Sequence, residues 1–386
     1  MAMAEGLGGR LDFLGCFSDL ADPRQWTKVL YRLDEVLLLT LCAVLCGADG
    51  WVATALFGKR KLAFLRRFLP FENGTPSHDQ LGLIFGALDA ACFQRCFIAW
   101  TQGLSQSIDG VVALDGKTLR RSFDRAGAKG AIHMVSAWSA RQKLVLGARA
   151  VDEKSNEITA IPELIDLLAL KGAIVTIDAM GCQRKIAEKI IDKGADYVFG
   201  LKGNQGSLRR DVELLFAEQH ACGFKDIAIS RASSLDGEHG RIESREVFAT
   251  EDIGWLKERH DWKGLRSIIM VASSRETPTR QEEERRFFIS SLPADAKSLA
   301  QAIRAHWGIE NGLHWVLDVN FRDDDCRIRK KDDCRIRKKN APANFAAVKH
   351  MALNALRKAP GKDSLKSKRF LAAWDEHYLA KTLVAL

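Results

Sequence analysis

Leu30, Leu33, Val36, Leu37, Leu41 and Leu45 fall on one helical face, and Asp22-Pro23 upstream is a helix-start signal. A second helical stretch is expected from about His78 to Trp100, behind Pro76-Ser77. Residues 1–107 therefore read as an all-α region. At Ile108 the pattern changes. Val111 to Leu114 is a short β-type run, and Ala131 to Ser139 and Lys143 to Val151 are further strand candidates. Helix over Glu157 to Leu170, strand over Ala173 to Ile177, helix over Cys182 to Lys193 and strand over Tyr197 to Leu201 follow in alternation. Strands in hairpin sequence that then alternate with helices predict an α/β fold with a mixed sheet flanked by helices. Residues 207–293 break the alternation and read as a β-rich insertion, with strands at Ser244 to Ala249, Ser267 to Ser273 and Arg286 to Ser291. A last helical series starts near Asp295, is strongest to Val319, and continues with Asn344 to Leu356 and Phe370 to Leu383.

Composition narrows the class. The 386 residues are 47% hydrophobic and 28% charged, enough apolar material for a sizeable core, which excludes disordered and collagen-like chains. The net charge of +9 and pI of about 9.1 point to a polyanionic partner. Cys42 and Cys46, like Cys92 and Cys96, sit at helical spacing in apolar runs and read as buried thiols, and without a Cys-x-x-Cys pair structural zinc is not expected. The uncharged run Val36 to Ala48 is too short to span a bilayer and suits a buried helix, and the first residues carry no secretory pattern, so no membrane partner and a cytoplasmic location are expected.

Three carboxylates stand where chemistry is possible. Asp115 follows Val111 to Leu114, Asp178 follows Ile174 to Ile177, and Glu310 lies in the helical stretch His306 to Trp315. An acid at the end of a buried strand has its backbone held by the ladder while its side chain reaches the crevice where ligands gather. Two such acids on adjacent strands, joined by a third from a helix, would make a hard oxygen site for Mg²⁺ or Mn²⁺. Singly, each has a plainer reading: Asp115 as a turn residue, Asp178 as a helix cap, and Glu310 as a solvated position beside a core stripe of Trp307, Leu313 and Leu317.

Together they carry a resemblance. Ala113-Leu114-Asp115-Gly116-Lys117-Thr118-Leu119-Arg120, Ile177-Asp178-Ala179-Met180-Gly181-Cys182-Gln183, Leu201-Lys202-Gly203-Asn204-Gln205 and the stretch His306 to Val319 resemble the ISAs1 family of bacterial insertion-sequence transposases, which includes the H-repeat-associated proteins. The likeness covers nearly the whole chain. It implies an RNase H-like core in residues 108–386 carrying a DDE triad of Asp115, Asp178 and Glu310. It also implies Mg²⁺-dependent cleavage at element ends, transfer of the 3′-hydroxyl into target DNA, and a dimer on double-stranded DNA bearing terminal inverted repeats. Where the broader IS4 group carries Tyr, Arg and Lys around its last acid, this chain has Ile303, His306 and Leu317, so those phosphate-binding roles are not carried over.

Basic and polar side chains near the acids are candidate DNA contacts: Lys117, Arg120, Arg121, Lys202, Asn204, His314, and in the insertion His239, Arg241 and Arg245. Trp307 and Trp315 are assigned to the core, with base stacking as the alternative. Gly116-Lys117-Thr118 lacks the glycine a phosphate loop needs at position 111, which is Val111, so no nucleotide cofactor is expected. The octapeptide Asp324 to Lys331 is repeated at once as Asp332 to Lys339. That duplication opens a second reading, a DNA-binding relic impaired in catalysis.

Overall fold

The computed structural model describes residues 12–104, 108–119, 132–151, 157–238, 241–277, 280–324 and 340–384. Its centre is one nine-stranded mixed sheet: β1 (Gly110–Thr118), β2 (His133–Ser139), β3 (Leu144–Val151), β4 (Ala173–Ile177), β5 (Asp196–Leu201), β6 (Ser230–Glu238), β7 (Arg241–Thr250), β8 (Ser267–Thr277) and β9 (Arg280–Ser290). The order is β3-β2-β1-β4-β5-β9-β8-β7-β6. Among the first five strands only β2 runs against the others, and this five-strand unit is the expected RNase H-like arrangement. The insertion's strands add to the same sheet, because β9 pairs antiparallel with β5.

The alternation of elements follows the sequence pattern, while several boundaries differ for physical reasons. The first long helix starts at Leu33, not after Asp22, whose carboxylate is occupied by Arg24 at 2.6 Å. The stretch after Pro76 is two helices, His78–Ala87 and Ala90–Leu104, bent by 89° at Leu88-Asp89. Ser77 starts the first with a capping box to Gln80. The span 207–293 is less purely β than expected, since Gly206–Ala221 is helical, and β6 falls outside the expected strands because its Ser-rich sequence lacks apolar alternation. The C-terminal stretch divides into Leu365–Trp374 and Glu376–Val384. Among the described residues no single helix is long and apolar enough to cross a membrane.

Helices cover both faces. The N-terminal helices share one continuous core with the sheet, in which Phe93, Phe97, Val112, Val145 and Phe345 take part. Helix Ala341–Lys358 is buried along most of its length, and its Asn354 both donates to and accepts from the backbone of Val145, satisfying the edge strand β3 (2.8 and 2.9 Å). Helix Ala296–His306 crosses the other face, with Leu299 and Ala302 in a second cluster alongside Val198, Ala249 and Ile269. Asp295 caps its start by accepting from the Lys297 and Ser298 amides. This helix delivers the chain to Glu310 over the carboxyl ends of β1 and β4.

Candidate active site

Asp115 lies inside β1, one residue beyond the parallel pair Leu114↔Ile177, so Asp115 and Asp178 occupy the next matching positions on adjacent strands. Asp178 ends its strand in a tight turn: its Oδ1 accepts the Met180 amide at 2.9 Å. The turn is braced from behind. Asn204 Nδ2 donates to the Ala179 carbonyl (2.5 Å) and Gln205 Nε2 to that of Cys182 (2.9 Å). Asn204, expected as a DNA contact, thus spends a donor on holding the backbone beside Asp178.

Glu310 is carried by a single π-helical turn, Glu310–His314, in which the Trp315 amide bonds the Glu310 carbonyl five residues back. The wider turn stacks residues four apart more nearly above one another than an α-helix does. His314, 5% exposed, therefore lies beneath Glu310. Its Nδ1 is 3.4 Å from Glu310 Oε2 and 3.5 Å from Asp115 Oδ2. One ligand atom from each of Asp115, Glu310 and His314 lies within 4.8 Å of the others. Asp178 falls outside that tight group. Packing holds the π turn in place: a Cβ on Gly312 would come within 2.7 Å of Trp138, Arg357 donates to the Gly312 carbonyl, and its guanidinium lies 4.4 Å from the Trp138 ring centre.

Negative charge accumulates here with little cationic compensation. Burial first, then the neighbouring Glu310 carboxylate, pushes the Asp115 carboxyl up to about 7; Asp178 and Glu157 add to the rise, and the Gly116 amide opposes it. Burial lowers the pKa of His314, as it does that of His306, whose Nδ1 meets Thr176 Oγ1 at 3.1 Å. Among the described residues, the lysine at hand is already committed. Lys117 is 11% exposed, pairs with Asp318 and lies 3.3 Å from the His314 carbonyl, so it faces the interior and not open solvent. A carboxylate forced to hold its proton near neutrality, beside a second acid and an imidazole, is a donor set that fits a divalent cation.

His306, Glu310, His314 and Asp318 recur every four residues, a ladder on one helical face of which sequence reasoning singles out only the two middle rungs. Asp318 and His306 are the residues it misses. Of the remaining expected contacts, Lys202 is exposed, while Arg245 is held by Asp236 (2.9 Å) and Glu243 (2.5 Å) in the wall of a groove of about 1160 Å³ between the insertion strands and helix Ala296–His306. Arg241 belongs to β7, but its side chain lies outside the described residues, as do Arg120, Arg121 and His239. The core assignment of Trp307 and Trp315 is overturned. They are 52% and 59% exposed, because Ile309, Leu313 and Leu317 form the buried stripe instead.

Comparison with known proteins places these features in context. A family model described as transposase DDE domain matches residues 106–337, and one described as DDE_Tnp_1-associated matches residues 14–101. The "H repeat-associated putative transposase YhhI" of Escherichia coli (strain K12) is 42% identical over 375 residues, covering 95% of this chain and 96% of the relative. The "Putative transposase YncI" of Escherichia coli O157:H7 is 40% identical over 381 residues, covering 97% and 94%. Among solved structures, a piggyBac transposase synaptic complex with hairpin DNA aligns with a TM-score of 0.43 and 10% identity over 96% of this chain and 80% of that one.

Proposed function

Because the chain belongs to the transposase DDE domain family, we propose that it cuts DNA at the ends of an insertion element and joins the freed 3′-hydroxyl to target DNA, with Asp115, Asp178 and Glu310 as catalytic metal ligands. The observation that carries this reading is the convergence of a strand-borne acid and a helix-borne acid, Asp115 and Glu310, on one imidazole, with Asp178 at the next strand end. Bound Mg²⁺ or Mn²⁺ would lower the pKa of the attacking water and neutralise charge on the leaving oxygen.

The chain's own residues do the positioning. The β1 ladder fixes Asp115, the π turn carries Glu310 and His314 together, and the braced turn after β4 holds Asp178. Lys117, locked by Asp318, supplies a fixed positive charge below the site. The exposed Lys202 and Arg245, with Arg241 of the same strand, would meet the phosphate backbone without reading sequence. Residues 1–107 would be the associated helical region and 108–386 the catalytic unit. Two element ends must meet for transposition, which implies a dimer on DNA, and a cytoplasmic protein that joins the nucleoid when bound.

The test is strand transfer on DNA carrying the element's terminal inverted repeats, with Mg²⁺ or Mn²⁺ present. Joined product should form with the unaltered chain and vanish in Asp115→Asn while DNA binding persists. The repeated octapeptide favours a second reading, a relic that binds ends but does not cut them. Binding without cleavage, followed by recovery of cleavage when Asp332 to Lys339 is deleted, would assign the lesion to the repeat.

A further inference from the structure

A single carboxylate oxygen ties together two walls of the groove between the insertion strands and helix Ala296–His306. Asp236 Oδ2, on β6, lies 2.9 Å from Arg245 Nη1 of β7 and 2.6 Å from Arg304 Nη1 of the helix. Among the described residues Asp236 is the acid that pairs with Arg304, whereas Arg245 also has Glu243 at 2.5 Å. Arg304 first, then Arg245, holds the Asp236 carboxyl below its ordinary value, so it is ionised at neutral pH.

The sheet gives Asp236 no reason to be an acid. It stands directly opposite Glu243 in the β6–β7 register, where like charges oppose strand pairing. What favours it is the pair of arginines. Two guanidinia from different elements aimed at one oxygen hold a phosphate oxygen by the same geometry as a carboxylate oxygen. The pairing is also open to displacement, since the Asp236 and Arg304 side chains are 40% and 61% exposed and ion pairs at such exposure contribute little. With Asp236 in place the groove is close to neutral: among its described lining residues five cations face four acids, in a chain of net charge +9. The groove reaches Asn311, the neighbour of Glu310, so a strand lying in it would run toward the carboxylates.

We propose that Asp236 is an internal stand-in for a DNA phosphate: it occupies a phosphodiester subsite built by Arg304 and Arg245, and DNA entering the groove must displace it. The identity of the polyanion rests on the reading of the chain as a DNA-cutting protein, but the test needs no cutting. A fluorescein-labelled duplex of about twenty base pairs is titrated against the full chain in chelator. Asp236→Asn and Asp236→Ser both free Arg304 and should bind the duplex about fivefold more tightly at about 50 mM salt. One added phosphate contact steepens the salt slope by about 0.9, so the gain should shrink about 3.5-fold between about 50 and 200 mM. Arg304→Gln alone should cost little, because in the unaltered chain that arginine must first leave Asp236; combined with Asp236→Asn it should abolish the gain. Asp192→Asn removes another exposed acid, paired with Lys263 away from the groove, and raises the net charge equally, yet should bind as the unaltered chain does. A gain shared by Asp192→Asn, a gain that survives Arg304→Gln, or no gain in either Asp236 variant would overturn the proposal. The expected pattern without any strand transfer would instead count against the cleavage reading alone.

Discussion

Replacing Asp115 by Asn should stabilise the ion-free protein while abolishing cleavage. Asp115 has a folded pKa of about 7 against an ordinary 3.8, because burial and Glu310 disfavour its charge. At 1.36 kcal/mol per unit, that rise corresponds to about 4 kcal/mol. The sign follows from proton counting. Below pH 4 the carboxyl is protonated in folded and unfolded chains alike and costs nothing. Between about pH 4 and 7 the folded chain holds a proton that the unfolded chain has released, so stability falls by about 1.36 kcal/mol for each unit of rising pH. Above pH 7 the full penalty is present. Asparagine occupies the same volume without the charge, so urea midpoints of the two proteins, measured in chelator, should coincide near pH 4 and separate progressively up to about pH 7.5, the variant being the more stable. Titrations remote from Asp115 cancel in the difference. Saturating Mn²⁺ should then close the gap by stabilising only the unaltered chain. A pH-independent difference, or an Asp115→Asn variant less stable than the unaltered chain at pH 7.5, would refute the assignment of Asp115 as a carboxylate whose charge burial and Glu310 disfavour.

Other perturbations probe the supports of the site. Gly312→Ala places a methyl 2.7 Å from the buried Trp138 ring and should cost about 1–3 kcal/mol in urea denaturation while displacing Glu310, seen as weaker Mn²⁺ binding by calorimetry. Lys349→Met strands the Asp323 carboxylate, which is 5% exposed and paired at 2.8 Å, and should destabilise by about 3–5 kcal/mol; adding Asp323→Asn should recover most of that loss, and failure to recover would mean packing and not charge is at stake. Deleting Asp332 to Lys339 should shift the thermal midpoint only slightly. The chain is anchored before the repeat by Asp323 to Lys349 and after it by Asn340 to the Leu88 carbonyl, and halving the intervening span alters closure entropy by about 0.6 kcal/mol.

The legible parts of this protein are those written in local pattern. Short β-type runs place β1, β4 and β5, and the acids that follow the first two of those runs, Asp115 and Asp178, stand out because a charged residue directly after an apolar run needs a reason. Where pattern is weak, reading fails. β6, Ser230–Glu238, is a partly exposed ribbon of Ser, Arg and Asp, and nothing in it alternates because it lies at the outer edge of the sheet. The fate of individual polar side chains is also hidden. Whether Lys117 faces DNA or Asp318, and whether Asn204 faces phosphate or the Ala179 carbonyl, depends on partners distant in sequence.

The π turn shows where the boundary lies. Glu310 and His314 are four apart, so a shared helical face is readable, yet an ordinary α-helix rotates such a pair by about 40° and would splay them. Widening the turn brings them together. Trp307 and Trp315 each stand two residues from a member of the buried stripe, Ile309 and Leu313, about 200° around a helix, so it is their size and apolar character, not helical periodicity, that suggests the interior. What widens the turn is not local. Gly312 leaves room for Trp138 of β2, and Arg357, from a helix beyond the repeated octapeptide, draws on the Gly312 carbonyl and covers the same indole. The acid that completes the site is therefore positioned by residues from three separate stretches of chain. Arg357→Lys, which keeps the charge but loses the planar guanidinium over Trp138, should weaken Mn²⁺ binding while leaving the Asp115 carboxyl in place on β1. Unchanged Mn²⁺ affinity in that variant would mean the π turn is held by its own sequence, and the dependence on Trp138 would be wrong.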